Sequence, residues 1–204
     1  LPKVVSGTSA GALVASIVGI FDDSDLRKIL KSEELLNPRT QQPFAFRFFD
    51  ESLSIMRRMR RLLRKGAFQD VRMLQDALRK NYGDVTFGEA YRLTRRILNI
   101  TVCPARHSSG PPLLLNYLTT PHVLIWSAAS ASCALPMVFA PVGLVAKDST
   151  GRLVPYQPDG IQWIDGSVSS DVPLARIGEL FNVNHFIVSQ TNPHVIPRGL
   201  PIFH

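Results

Sequence analysis

Lys3-Val4-Val5-Ser6-Gly7-Thr8-Ser9-Ala10-Gly11-Ala12-Leu13 is the stretch on which the reading of the fold turns. A short β-branched run enters a Gly-Thr-Ser-Ala-Gly turn, and a small, apolar, helix-compatible run leaves it. A G-x-S-x-G motif set between a strand and a helix is the context of a nucleophile on a tight corner. Such a corner has room only for small residues two positions either side of the serine, where Gly7 and Gly11 stand. The motif predicts Ser9 on a strained, exposed turn with its hydroxyl pointing away from the sheet. The helix that starts there aims unpaired N–H groups and a positive dipole end at any anion forming beside Ser9. The competing reading is a glycine-rich strand–helix turn with a surface serine.

Working outward, the chain has 204 residues, 45% hydrophobic and 19% charged, enough for one globular domain with a sizeable core. Cys103 and Cys133 stand far apart in apolar surroundings. They make neither a disulfide framework nor a metal-ligand spacing, so the expectation is a reducing compartment and no metal. No run reaches the roughly 18 apolar residues that span a bilayer. A net charge of +7 favours an anionic partner. No nucleic-acid motif accompanies it, so a phospholipid surface is the expected partner and nucleic acid is not.

Alternating strand and helix signals predict an α/β fold with a mainly parallel sheet. Ala10–Ile20 is apolar or small on every side and reads as a helix buried on all faces. The acidic stretch from Asp22 caps a second helix from Leu26 to Leu36. Pro43–Phe49 holds four aromatics without a period, a plug over the core or part of a greasy mouth. From Glu51 to Lys65, Ile55, Met56, Met59, Leu62 and Leu63 share one side of a predicted helix. Arg57, Arg58, Arg60, Arg61, Arg64 and Lys65 take the other, either as a solvated face or as an interfacial helix on anionic lipid. A helix over 70–82 follows, and Thr86-Phe87-Gly88-Glu89 is a capping box for another. Ile97–Val102, Leu113–Leu118 and Val123–Trp126 read as strands, and residues 127–134 as a small-residue helix packed tightly on the sheet. Lys147–Asp159 reads as a polar hairpin, Trp163–Asp165 as a strand end, Pro173–Leu180 as a helix and His185–Ser189 as a final buried strand.

A serine at neutral pH needs a base within hydrogen-bond reach. Asp165 followed by His185 or His194 satisfies the acid-then-histidine order of one triad arrangement, and His107, His122 and His204 have no such support. Asp165 itself, at a strand end before Gly166 and Ser167, is placed to act on Ser9 directly as half of a dyad. On spacing alone an Asp-Gly hairpin turn is the stronger reading, as the nearby Asp159-Gly160 pair illustrates.

Gly7-Thr8-Ser9-Ala10-Gly11 with Asp165-Gly166-Ser167 downstream resembles the patatin-like phospholipase family. Ala131–Pro141, Asp165–Leu174 and Leu180–Gln190 are similar to its triacylglycerol lipase branch, the lipid-droplet lipases of fungi and plants. The resemblance implies a patatin-like α/β fold and a Ser–Asp dyad, with Ser9 as nucleophile, Asp165 as base and Gly7, Gly11 and Gly166 as supports. It implies a lipase that uses no cofactor and works on triacylglycerol or a related acylglycerol or phospholipid. Its place would be intracellular, at a lipid droplet or membrane surface. The family also carries a glycine-rich oxyanion segment upstream of the nucleophile, ahead of the first residue here. Residues 1–204 are therefore expected to be a catalytic domain incomplete on its N-terminal side. Two other readings stand beside the lipase: acyl transfer to a lysophospholipid, and a non-catalytic lipid-surface binding remnant.

Overall fold

β1 (Val4–Gly7) enters beside β2 (Ile97–Pro104), parallel to it, in a register running from Val4↔Ile97 to Gly7↔Ile100. The crossover between them carries α1 (Ala10–Ile20), α2 (Asp23–Lys31), α3 (Val71–Tyr82) and α4 (Phe87–Thr94). This computed structural model describes residues 2–31, 36–44, 71–105, 110–136, 138–157, 160–166 and 172–189. β3 (Leu113–Leu115) pairs antiparallel with β2, because the eight residues between them are too few for a parallel crossover. β6 (Trp163–Asp165) is also antiparallel to β2, with Val102↔Asp165 and Pro104↔Trp163. The α/β class is as expected. The elbow strand has its parallel neighbour, and with the other two ladders the described sheet is mixed.

The register fixes which strands share an edge. Ile100 pairs with Gly7 of β1 and with Leu115 of β3, so those two strands flank β2 on opposite sides. Val102 pairs with Leu113 of β3 and with Asp165 of β6. β6 therefore lies opposite β3, on the same edge of β2 as β1, and begins pairing two residues beyond where β1 stops. The C-terminal ends of β1 and β6 run toward each other along that edge. β2 is buried almost throughout, with Ile100 and Val102 fully enclosed, so it is the axis of the core.

α5 (Ile125–Ser132) is buried along its whole length. β4 (Val145–Lys147) and β5 (Leu153–Pro155) form the expected hairpin, closed by Gly151 at φ 82°. Thr86 makes both bonds of the predicted capping box: Glu89 N–H donates to its hydroxyl at 3.2 Å, and its own N–H donates to Glu89 Oε2 at 2.8 Å. α6 (Leu174–Phe181) belongs to a second unit, Pro173–His204, separate from Leu1–Val172.

The C-terminus of α1 is held by a side chain from the start of β2. Arg96 donates to Val18 O at 2.8 Å and Phe21 O at 2.7 Å and pairs with Asp23 at the start of α2. Orphan carbonyls and the negative end of the helix dipole are both met by one guanidinium. Arg96→Met is expected to cost about 2 kcal/mol or more in urea unfolding, since it strands buried acceptors. Arg96→Lys should recover only part of that, because an ammonium cannot span the fork.

Three local expectations are corrected. α1 is not buried on every face: Ala12, Ala15, Ser16, Gly19 and Ile20 face inward, whereas Val14 is 64% exposed. The small residues form the packed side because the helix sits tightly on β2, where a Cβ on Gly19 would lie 2.9 Å from Leu98 Cβ. Val123 and Leu124 make only isolated bridges, and Ile125 and Trp126 already belong to α5. His185–Ser189 is exposed and irregular instead of a buried strand, since its apolar run finds no ladder partner among the described residues. The aromatic run beyond Phe44 and the predicted cationic helix over 51–65 lie outside the described residues. Among the described residues no helix is long and apolar enough to cross a membrane.

Candidate active site

Ser9 stands between β1 and α1 with φ 55° and ψ −128°, a backbone conformation that a residue with a side chain rarely adopts. Strain of this kind costs on the order of 1–3 kcal/mol and persists where surrounding contacts over-determine it. The predicted strained corner is therefore present. α1 starts immediately: Gly11 N–H donates to Thr8 O at 3.0 Å and Ala12 N–H to Ser9 O at 2.9 Å. The N–H of Ala10, directly after Ser9, has no hydrogen bond among the described residues.

The two glycines of the motif have different roles. A Cβ on Gly7 would lie 2.3 Å from Gly11 O and 2.6 Å from Ala12 N, so the strand passes directly under the first turn of α1. A Cβ on Gly11 would meet nothing within 4 Å. The expectation that both positions lack room is corrected for Gly11: its backbone, not its side-chain position, is what Gly7 touches.

Asp165 ends β6 with no exposure to solvent. Gly166 follows at a close approach to β2, where a Cβ would lie 2.5 Å from Thr101 O. Asp165-Gly166 thus closes a strand against the sheet. Ser167 and Asp159 lie outside the described residues.

The backbones of Ser9 and Asp165 are both hydrogen-bonded to residues at the C-terminal end of α5. Ser9 N–H donates to Ser132 Oγ at 3.0 Å, and the Cys133 thiol donates to Ser9 O at 3.1 Å. Asp165 N–H donates to Ala134 O at 3.1 Å. Three consecutive residues therefore hold the backbones of both. Burial, then the charge of Asp165, pushes the Cys133 thiol up to about 12, so Asp165 is electrically close to a group bonded to Ser9. Sequence reasoning took residues 127–134 as a helix packed on the sheet and gave Ser132 and Cys133 no role beside Ser9. The available signal was a hydroxyl and a thiol closing an otherwise alanine-rich helix.

Among the described residues of the first unit, the one histidine, His122, lies away from this segment. His122 is exposed and precedes the N-terminus of α5, roughly 12 Å of helix from Ser132. A shallow polar recess of about 230 Å³ lies at that same far end, among Thr86, Glu89, His122 and Lys147. Glu89 and Lys147 satisfy each other there at 2.8 Å, so the recess holds no spare charge of either residue to set against a substrate. His185 is exposed in the second unit, and His107, His194 and His204 lie outside the described residues. Among the described residues no three or more His, Cys, Asp or Glu side chains gather into a metal-holding group.

Comparison with known proteins follows the same residues. The Patatin family model, described as patatin-like phospholipase, matches residues 1–176. Triacylglycerol lipase SDP1L of Arabidopsis thaliana is 42% identical, over 97% of this chain and 25% of its own length. Triacylglycerol lipase 4 of Saccharomyces cerevisiae is 41% identical over 97% of this chain and 22% of its own. Triacylglycerol lipase ptl2 of Schizosaccharomyces pombe is 38% identical over 98% and 31%. The chain spans between about a fifth and a third of the length of these relatives.

Proposed function

Because the chain belongs to the patatin-like phospholipase family, we propose that it carries the active centre of a serine acyl hydrolase, with Ser9 as nucleophile and Asp165 as base. The observation that carries this reading is the strained Ser9 backbone, hydrogen-bonded to the same three-residue segment as buried Asp165. In the first half-reaction Ser9 Oγ attacks the ester carbonyl carbon while Asp165 accepts the hydroxyl proton. The negative charge gathers on the carbonyl oxygen, where the Ala10 N–H supplies one donor at the start of α1. Collapse breaks the ester C–O bond, and Asp165 returns its proton to the departing alcohol oxygen. Water then repeats the sequence on the acyl-enzyme, with Asp165 taking its proton and Ser9 leaving. No histidine is required, because one carboxylate serves as base and then acid in each half.

The substrate class follows from the relatives, which are named triacylglycerol lipases. The reading is thus hydrolysis of triacylglycerol or a related acylglycerol. The net charge of +7 supports work at an anionic lipid surface, such as a membrane or a droplet coat.

The test is covalent. A fluorophosphonate probe applied to the full-length protein is expected to label the peptide containing Ser9, and Ser9→Ala to abolish both labelling and triolein hydrolysis. Labelling that survives Ser9→Ala, or hydrolysis that does, would remove Ser9 from the mechanism.

A further inference from the structure

We propose that Ser132 is a positioning residue for the nucleophile, with the neighbouring Cys133 thiol completing a clamp on the backbone of Ser9. The proposal rests on the reading of Ser9 as nucleophile. Ser132 is fully buried at the last position of α5, and its hydroxyl donates to Thr101 O at 2.8 Å. That proton being committed, the lone pairs of Oγ face the Ser9 N–H, which donates at 3.0 Å. Ser130, two positions earlier, turns its hydroxyl back to Ser127 O at 2.8 Å in an ordinary intrahelical bond. Ser132 instead ties the elbow to the sheet.

The tie point has meaning in the register. Thr101 lies between Ile100, where β1 stops pairing, and Val102, where β6 starts. The elbow leaves the sheet at this gap, and Ser132 replaces the ladder bond that β1 no longer makes. On the other side of the same residue, the Cys133 thiol donates to Ser9 O. Its raised pKa, a consequence of burial first and Asp165 second, keeps the proton on sulfur at neutral pH, so the donor persists. Both polar groups of one strained residue are thereby fixed by successive side chains. Ala134 O fixes Asp165 through its N–H. One short segment sets the distance between the proposed nucleophile and its base.

Loss of a positioning contact acts on kcat, since a displacement of about 1 Å can cost on the order of 10²-fold. In the full-length protein, Ser132→Ala is expected to lower kcat on a soluble ester, and the rate of fluorophosphonate labelling at Ser9, by roughly 10–100-fold. KM should stay within about twofold, and circular dichroism should show a folded protein at the assay temperature. Ser132→Thr, which keeps the hydroxyl, should return most of the labelling rate. Folded Ser132→Ala that labels within about twofold of the wild type would overturn the proposal. If Ser132→Ala fails to fold, the Cys133 pair decides. Cys133→Ser, which keeps a donor, should label faster than Cys133→Ala at matched stability, and equal rates would overturn the clamp. A wild-type protein whose label sits on a residue other than Ser9 would sink the nucleophile reading instead, and with it the premise.

Discussion

Asp165→Asn is expected to lower kcat for ester hydrolysis by roughly 10²–10⁴-fold, the usual share of a general base, with the melting temperature nearly unchanged. The substitution keeps size, shape and one oxygen at a fully buried position, so the β6 ladder and the Asp165 N–H bond to Ala134 O remain available. On the proposed mechanism, what it removes is the ability to take the Ser9 proton. The double variant Ser9→Ala/Asp165→Asn should be no slower than Ser9→Ala alone, because members of one catalytic unit are not additive. His185→Ala should retain most of the wild-type rate, given its exposure to solvent. Turnover numbers and melting curves for the four variants settle the matter. An Asp165→Asn enzyme keeping more than half its kcat, or a folded His185→Ala as inactive as Ser9→Ala, would end the dyad account.

Gly7→Ala and Gly11→Ala are expected to move stability in opposite directions, although the motif treats the two glycines alike. At Gly7 the new Cβ would stand 2.3 Å from Gly11 O and 2.5 Å from Gly11 C, both backbone atoms at the start of α1. Neither can rotate away, so the strand or the helix must shift. Overpacking commonly costs 1–3 kcal/mol, and a backbone clash belongs at or above the upper end, about 3 kcal/mol. For a domain of this size that is a fall of roughly 6–12 °C in melting temperature. At Gly11 the added methyl meets open space within the helix, and removing a helical glycine yields up to about 1 kcal/mol. Thermal melts of the two single variants check the pair. A Gly7→Ala protein as stable as the wild type would show that β1 does not pass under α1 as closely as the structure has it.

Local signals made the elbow and much of the frame legible. The β-branched run before Gly7, the capping box at Thr86 and the Asp-Gly pair after a Trp-Ile strand each act within a few residues, and each has its element in the structure. Pairing across long separations was not legible. Nothing in the run Trp163–Asp165 says that it joins the edge of β2 that β1 has just left, because that depends on register. The inward side of α1 was misread for a related reason: an apolar count records that a helix is greasy, not which side meets the sheet. In α1, Ala12, Ala15 and Gly19 are inside and Val14 is outside, since close approach to Leu98 rewards small residues over apolar ones. His185–Ser189 shows the opposite limit, a strand-like composition without a described edge to pair with. Ser132 and Cys133 went unread because their partners are more than 100 residues away.

The shared edge of β2 has a consequence for biosynthesis. β2 can recruit β1 as soon as it is made and β3 about ten residues later, but Asp165 leaves the ribosome about 150 residues after Ser9. At roughly 5–20 residues per second, that interval is on the order of ten to thirty seconds. Over roughly the last 60 residues of it, about three to twelve seconds, Val102–Pro104 offers an unpaired strand edge beside an elbow still without its proposed base. A nascent chain stalled before Trp163 is therefore expected to be chemically silent and prone to pairing with a second copy of itself. On the proposed mechanism, the base and the cover for that edge arrive together, when β6 docks.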